Sequence, residues 1–102
     1  MGYDAHDVVA RVKHLLVQSP GRTLVSISAE LGIDRHTINR ALRRVECMSF
    51  GELRSLQMEL ALRRLNAQPL LLLHKERAAA VGCSCARLRA WERRLAARSH
   101  TR

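Results

Sequence analysis

The 102 residues are 47% hydrophobic, enough apolar surface for one core-bearing domain and too short a chain for a second, which excludes wholesale disorder. No run approaches the ~18 apolar residues of a membrane-spanning helix, and Met1-Gly2-Tyr3-Asp4 is not the basic-then-apolar start of a signal peptide, so the sequence places the chain in the cytoplasm, away from membranes. Eighteen basic residues, sixteen of them Arg, stand against nine acidic ones for a net charge of +9, a surplus that attracts polyanions and favours nucleic acid over a merely solvated Arg-rich surface.

The surplus is uneven, +2 over residues 1–50 and +7 over residues 51–102. Helical spacing recurs along the whole chain and strand-like alternation is absent. Val8, Val9, Val12, Leu15 and Leu16 form the stripe of a first helix, with Asp4 as its cap and Ser19-Pro20-Gly21 as its stop. A second helix is predicted from about Leu24 to Leu31, with Thr23 as N-cap and Gly32 at the left-handed position after its end. A third follows Asp34 and turns Ile38, Ala41 or Leu42, and Val45 inward. Ser49-Phe50-Gly51-Glu52 reads as a capping box, with Met48 and Leu53 spaced for a hydrophobic staple. The fourth helix it opens carries Leu53, Leu56, Met58, Leu60, Leu62 and Leu65, an apolar face broad enough to be covered on more than one side. It ends near Asn66, before Pro69.

Pro69 suits the first turn of a fifth helix, about Leu70 to Val81. Gly82 ends that helix, Ser84 caps the next, and a sixth runs to about Ala97 with Leu88, Trp91 and Leu95 inward. The tail from Arg98 to Arg102 is expected to fray. The fold expected is all-α, with six or seven helices in two helix-turn-helix subdomains bridged by a long central helix. Residues 5–46 make the first subdomain, 49–67 the linker helix, 69–97 the second subdomain and 98–102 the tail of a single DNA-binding domain.

Two turns share one grammar. Leu31-Gly32-Ile33-Asp34 and Val81-Gly82-Cys83-Ser84 both read apolar, Gly, apolar, N-cap. Each has a small residue four positions before the Gly (Ser28, Ala78), an apolar one six after it (Ile38, Leu88), and a small or apolar one nine after it (Ala41, Trp91). A tight corner, a close helix crossing and an apolar inner stripe on the second helix are what a helix-turn-helix requires. The two Gly lie 50 residues apart with a long apolar helix between them, so this is not a tandem solenoid.

From about Val8 to Leu95 the chain resembles the DNA-binding domain of the AraC/XylS family of bacterial transcription regulators. The resemblance is carried by Ile27-Ser28-Ala29-Glu30-Leu31-Gly32-Ile33-Asp34, Ile38-Asn39-Arg40, Met48-Ser49-Phe50-Gly51-Glu52-Leu53, and Ala78 with Val81-Gly82. It implies two helix-turn-helix units bridged by a linker helix, offering two recognition helices to successive major grooves. Cys47 stands where the family usually has Gly, and Cys83 where it has an aromatic residue. The usual linker-helix Arg is replaced by Met58 or shifted in register. The closing Gly, Pro and Tyr signature is missing. The 102 residues hold no effector-binding domain, so sugar sensing is not expected of them.

A recognition helix reads bases with outward side chains near its N-terminus. On the third helix these are Arg35, His36, Asn39 and Arg40, Asn suiting adenine and Arg suiting guanine; the resemblance points to His36, Asn39 and Arg40 as base contacts. Arg43 and Arg44, further along, are expected on phosphates. On the sixth helix Cys85, Ala86 and Arg89 occupy the comparable face, the small pair suited to a thymine methyl, with Arg87 and Arg93 flanking toward phosphates. Arg22, Thr23 and Ser84 sit at helix N-termini, where amides favour anions. Cys83 and Cys85 lack a second Cys or His pair at zinc spacing, and Cys47 reads as structural or incidental, so no metal or cofactor is expected. His6, His14, His74 and His100 show no ligand or catalytic pattern, and no phosphate loop, nucleophile motif or paired carboxylates suggest an enzyme. Three aromatic residues, Tyr3, Phe50 and Trp91, are too few for an RNA-stacking module. The partner expected is double-stranded DNA. The rival reading is a protein-interaction adaptor docking on RNA polymerase or another regulator, favoured by the Leu70–Leu73 run, four leucines that would circle a helix and leave some exposed, or pair two chains about a twofold axis.

Overall fold

The computed structural model describes residues 4–68 and 72–100, with side chains as far as residue 97. The chain is all-helical, with six helices in the order α1 (Ala5–Gln18), α2 (Leu24–Leu31), α3 (Arg35–Glu46), α4 (Phe50–Ala67), α5 (His74–Val81) and α6 (Cys85–His100). Side-chain caps set most of the starts. The Asp4 carboxylate accepts from the His6 and Asp7 amides, Thr23 from Ser26, and Asp34 from His36. At α4 the Ser49 hydroxyl accepts from the Glu52 amide while the Glu52 carboxylate accepts from the Ser49 amide. Such caps satisfy amides that have no partner in the helix, worth about 1 kcal/mol each.

Both corners form with the same hydrogen bonds. Gly32 (φ 67°) and Gly82 (φ 75°) are left-handed, the region where a Cβ crowds the following carbonyl. The amide after each Gly, that of Ile33 or Cys83, donates to the carbonyl of the small residue four before the Gly, Ser28 or Ala78, as in a Schellman closure.

Two cores result. The first gathers Val8, Val9, Val12 and Leu16 from α1, Ile27 from α2, Ile38, Ala41 and Leu42 from α3, and Phe50 and Leu53 from the start of α4. The second gathers Met58 and Leu62 from the later half of α4 with Ala78, Val81, Leu88 and Trp91. At about 3.6 residues per turn, the buried face of α4 shifts roughly a third of a turn between Phe50–Leu53 and Met58–Leu62. Leu56 and Leu60, expected inside one broad apolar face, fall off both sectors and are 38% and 39% exposed.

The α1–α2 loop, read from sequence only as a helix stop, joins the two halves. Pro20 is fully buried, and the Gly21 amide donates to the Val81 carbonyl at 2.8 Å. The molecule measures 50 × 32 × 22 Å.

Two boundaries differ from expectation. The fifth helix starts at His74 rather than near Leu70, because the Glu76 carboxylate accepts the Leu73 amide at 2.8 Å and opens the helix there. Leu72 and Leu73 therefore precede it, with Leu73 62% exposed; Pro69, Leu70 and Leu71 lie outside the described residues, and with them half of the leucine run. The sixth helix continues through His100 instead of fraying after Ala97, since Ala96-Ala97-Arg98-Ser99 holds no Gly or Pro to stop it. No helix among the described residues is long and apolar enough to cross a membrane.

Candidate nucleic-acid interface

With Ile38, Ala41 and Leu42 wholly buried, the opposite side of α3 is fixed by helical geometry. His36, Arg40 and Arg43 follow one another along that ridge at spacings of four and three, flanked by Arg35 and Arg44, and all five are exposed. On α6, Leu88 and Trp91 are buried, and Ala86, Arg87, Arg89, Arg93 and Arg94 are exposed.

The distribution of partners separates these arginines from Arg11, Arg22, Arg63 and Arg77. Asp4 and Asp34 cap helices, and Glu52 and Glu76 accept the amides of Ser49 and Leu73. Asp7 pairs with Arg11 at 3.0 Å, Glu30 with Arg22 at 2.7 Å, Glu59 with Arg63 at 3.3 Å and Glu92 with Arg77 at 2.9 Å. Glu46 pairs with Lys13. All nine carboxylates are thus committed, and among the described residues none forms an ion pair with Arg35, Arg40, Arg43, Arg44, Arg87, Arg89, Arg93 or Arg94. Even Glu46 on α3 and Glu92 on α6 turn to cations of α1 and α5. Surface ion pairs add little stability; their effect here is to leave most of the unpaired positive charge among the described residues on α3 and α6.

Several expected contact residues hold structural positions. Asn39 is half-buried, and its Oδ1 accepts the Phe50 amide at 3.3 Å, latching α3 to the start of α4 and engaging the oxygen an adenine contact would use. The Arg22 guanidinium is bound to the Ser26 hydroxyl and carbonyl and to Glu30, so its charge is largely matched. The hydroxyls of Thr23 and Ser84 accept the Ser26 and Arg87 amides. Asp34 places a carboxylate at the α3 N-terminus, which leaves that end unsuited to a phosphate, whereas the α6 cap, Ser84, is neutral. Cys85 is half-buried against the second core, and its carbonyl lies 3.1 Å from His74 Nε2; of the small pair on α6, Ala86 is the exposed one.

Arg54 is the residue that sequence reasoning missed. It sits where the buried face of α4 passes from one core to the other. Its guanidinium lies 5.9 Å from the Phe50 ring centre and 5.3 Å from that of Trp91, with Arg94 at 4.8 Å from the same indole. Its Nη1 donates to the Arg22 carbonyl at 3.5 Å, while its Nε is buried without a hydrogen-bond partner. Burial, then the charges of Arg87 and Arg94, lower its pKa from the ordinary arginine value, although a guanidinium remains a cation at neutral pH. The cue was a charged residue directly after Leu53 inside an apolar stretch, together with the displaced linker-helix Arg noted above.

Cys83 is half-buried in the second core, and burial above all raises its thiol pKa, with Arg87 opposing. Cys47 is exposed and left-handed at φ 56°, so the position where the resemblance calls for Gly does adopt the backbone that favours Gly. No protein-family model, curated protein or solved structure matches the chain, and the family resemblance rests on the residues that carry it.

Proposed function

We propose that this chain is a sequence-specific, double-stranded-DNA-binding regulator of transcription, working in the cytoplasm and presenting α3 and α6 to successive major grooves as AraC/XylS-like domains do. The observation that carries the reading is that, among the described residues, no carboxylate forms an ion pair with Arg35, Arg40, Arg43, Arg44, Arg87, Arg89, Arg93 or Arg94. A surface kept electropositive in this way suits a phosphate-lined groove. In this reading Arg35, His36 and Arg40 read bases from α3, with Asn39 contributing its amide nitrogen while its oxygen holds Phe50. Ala86 and Arg89 read from α6, and Arg43, Arg44, Arg87 and Arg93 hold phosphates. A 50 Å long axis accommodates grooves about 34 Å apart.

Selection of bound sequences from a random duplex library, followed by salt titration of the selected site, tests the reading. The expected result is a site with two half-sites about one helical turn apart and a slope of log affinity against log salt of about −3.6 from four phosphate contacts. Absence of any sequence preference, or a slope near zero, refutes it. The second reading, an adaptor for RNA polymerase or another regulator, is favoured by Leu56 and Leu60, exposed one turn apart on α4. It requires a protein partner whose binding is undisturbed by Arg40→Ala and lost with Leu56→Glu.

A further inference from the structure

We infer that Arg54, Arg87 and Arg94 form a binding site for one phosphate-class oxyanion in the cleft between α4 and α6. The cleft, about 90 Å³, is lined by Arg54, Arg87, Ala90, Trp91 and Arg94. That is room for several waters, and so for a small oxyanion. Three guanidinium groups line it and no carboxylate does. Glu52 and Glu59 line the wider groove beside it, but the first is held by the α4 cap and the second by Arg63.

Arg54 supplies the directional element. Its Nη1 is engaged with the Arg22 carbonyl and its Nε is buried, which leaves Nη2, with no hydrogen bond among the described residues, as the charge-assisted donor for an oxyanion. Two like charges beside a partly desolvated third are unfavourable alone, and a dianion relieves the repulsion. Indole faces attract cations, so Trp91 holds Arg54 and Arg94 in place from behind. Arg94 rests on Trp91, and among the described residues neither Arg87 nor Arg94 has a carboxylate partner to offset the charge they bring to the half-buried Arg54.

The oxyanion comes either from the backbone of a bound duplex, which rests on the reading above, or from a free phosphate compound, which does not. Trp91 is the sole tryptophan and lies under two of the three guanidinium groups, so its fluorescence reports occupancy. The experiment titrates the full chain with inorganic phosphate at constant ionic strength held with chloride. A saturable change is expected. In Arg94→Gln, an exposed position whose variant should keep the fold, the half-saturating concentration should rise about tenfold or more, as for the loss of one charge-assisted hydrogen bond. Arg54→Met should abolish the change. No saturable change in the unaltered protein, or equal half-saturation in it and both variants, overturns the site.

A duplex arm then separates the sources. If the oxyanion is a backbone phosphate, Arg94→Gln weakens all duplexes alike, lowers the salt slope by about one, and phosphate competes with the duplex. If it is a free phosphate, duplex affinity is unchanged by Arg94→Gln and both ligands bind together. Failure to bind any duplex sinks the functional reading and leaves the phosphate titration to stand or fall by itself.

Discussion

Replacing Gly21 with Ala perturbs the junction between the two halves without touching α3 or α6. The added Cβ would stand 2.8 Å from the Gly82 carbonyl oxygen, 2.9 Å from that of Val81 and 2.9 Å from the Cys83 Cβ. These atoms are main chain or one bond from it, so none can rotate aside, and the loop must lift off the α5–α6 corner. Overpacking of this kind costs about 1–3 kcal/mol, and losing the 2.8 Å bond from Gly21 to Val81 adds about 0.5–1.5 kcal/mol. The expected loss is therefore about 2–4 kcal/mol, a large part of the ~5–15 kcal/mol that holds a typical domain folded. Gly32→Ala is the counterpart: its Cβ would meet nothing within 4 Å, but φ is +67°. The left-handed strain of about 1–2 kcal/mol, less up to ~1 kcal/mol from a stiffer unfolded chain, leaves a loss of about 1 kcal/mol. Urea denaturation, read as midpoint and slope, should rank Gly21→Ala well below Gly32→Ala. Stability within about 0.5 kcal/mol of the parent, inside the range of a neutral surface change, would show that the loop contact does not hold the halves together.

The same backbone argument runs in reverse at Cys47, φ 56° and exposed. Cys47→Gly should stabilise by about 0.5–1 kcal/mol and raise the thermal midpoint by several degrees; a lower midpoint counts against it. Asn39→Ala strips the Phe50 amide of its acceptor and should cost about 1 kcal/mol in urea denaturation, apart from any loss in DNA binding, whereas a mutation that changes only affinity would make Asn39 purely a base reader. Arg43→Ala, exposed and outside every ion pair among the described residues, should leave stability within about 0.5 kcal/mol, weaken all duplexes alike and lower the salt slope by about one. Because burial raises the folded pKa of Cys83, the stability linked to its protonation is whole below the ordinary thiol value and is lost as pH climbs through the raised one. A stability-against-pH curve should therefore fall more steeply on the alkaline side for the parent than for Cys83→Ala.

The elements whose signals are local were legible in the sequence. Asp4, Thr23, Asp34 and Ser49 with Glu52 mark helix starts because a cap needs only residues two or three positions away, and Gly32 and Gly82 mark corners because the left-handed backbone is a property of one residue. The inward stripes of α3 and α6 followed from spacing, and with them the outward places of Arg35, His36, Arg40, Arg43, Arg89 and Arg93. What depends on distant partners was not legible. Nothing near Gly21 indicates that its amide meets Val81, sixty residues on. Nothing near Asn39 or Glu46 shows that one holds Phe50 and the other Lys13. The fifth helix was started too early because Pro69 offers a generic first-turn signal, while the stronger local one, the Glu76 carboxylate on the Leu73 amide, lies further on.

The two corners spell alike and yet have different mechanical roles. The Gly32 corner faces open space, so α3 is oriented by the first core and by its links through Asn39 to Phe50 and Glu46 to Lys13, not by the corner itself. The Gly82 corner is in close contact with Ser19, whose Oγ would lie 2.6 Å from an added Cβ, and it lies against Gly21, so α6 is oriented by its own small core and by the first half of the molecule. Among the described residues that second core has six buried side chains, two of them lent by α4, edged by partly buried neighbours such as Leu65 and Leu95. So few do not offset the conformational entropy of ordering α5 and α6. The second half is therefore stable only when docked, through α4, through Gly21 on Val81 and through Arg54 between Phe50 and Trp91. A hinged pair of DNA-reading units would adjust to half-sites of varied spacing, but three linkages of this kind give one fixed spacing. Inserting or deleting a single base pair between selected half-sites, a shift of about 3.4 Å and a tenth of a turn, should then abolish simultaneous engagement of α3 and α6 rather than merely weaken it.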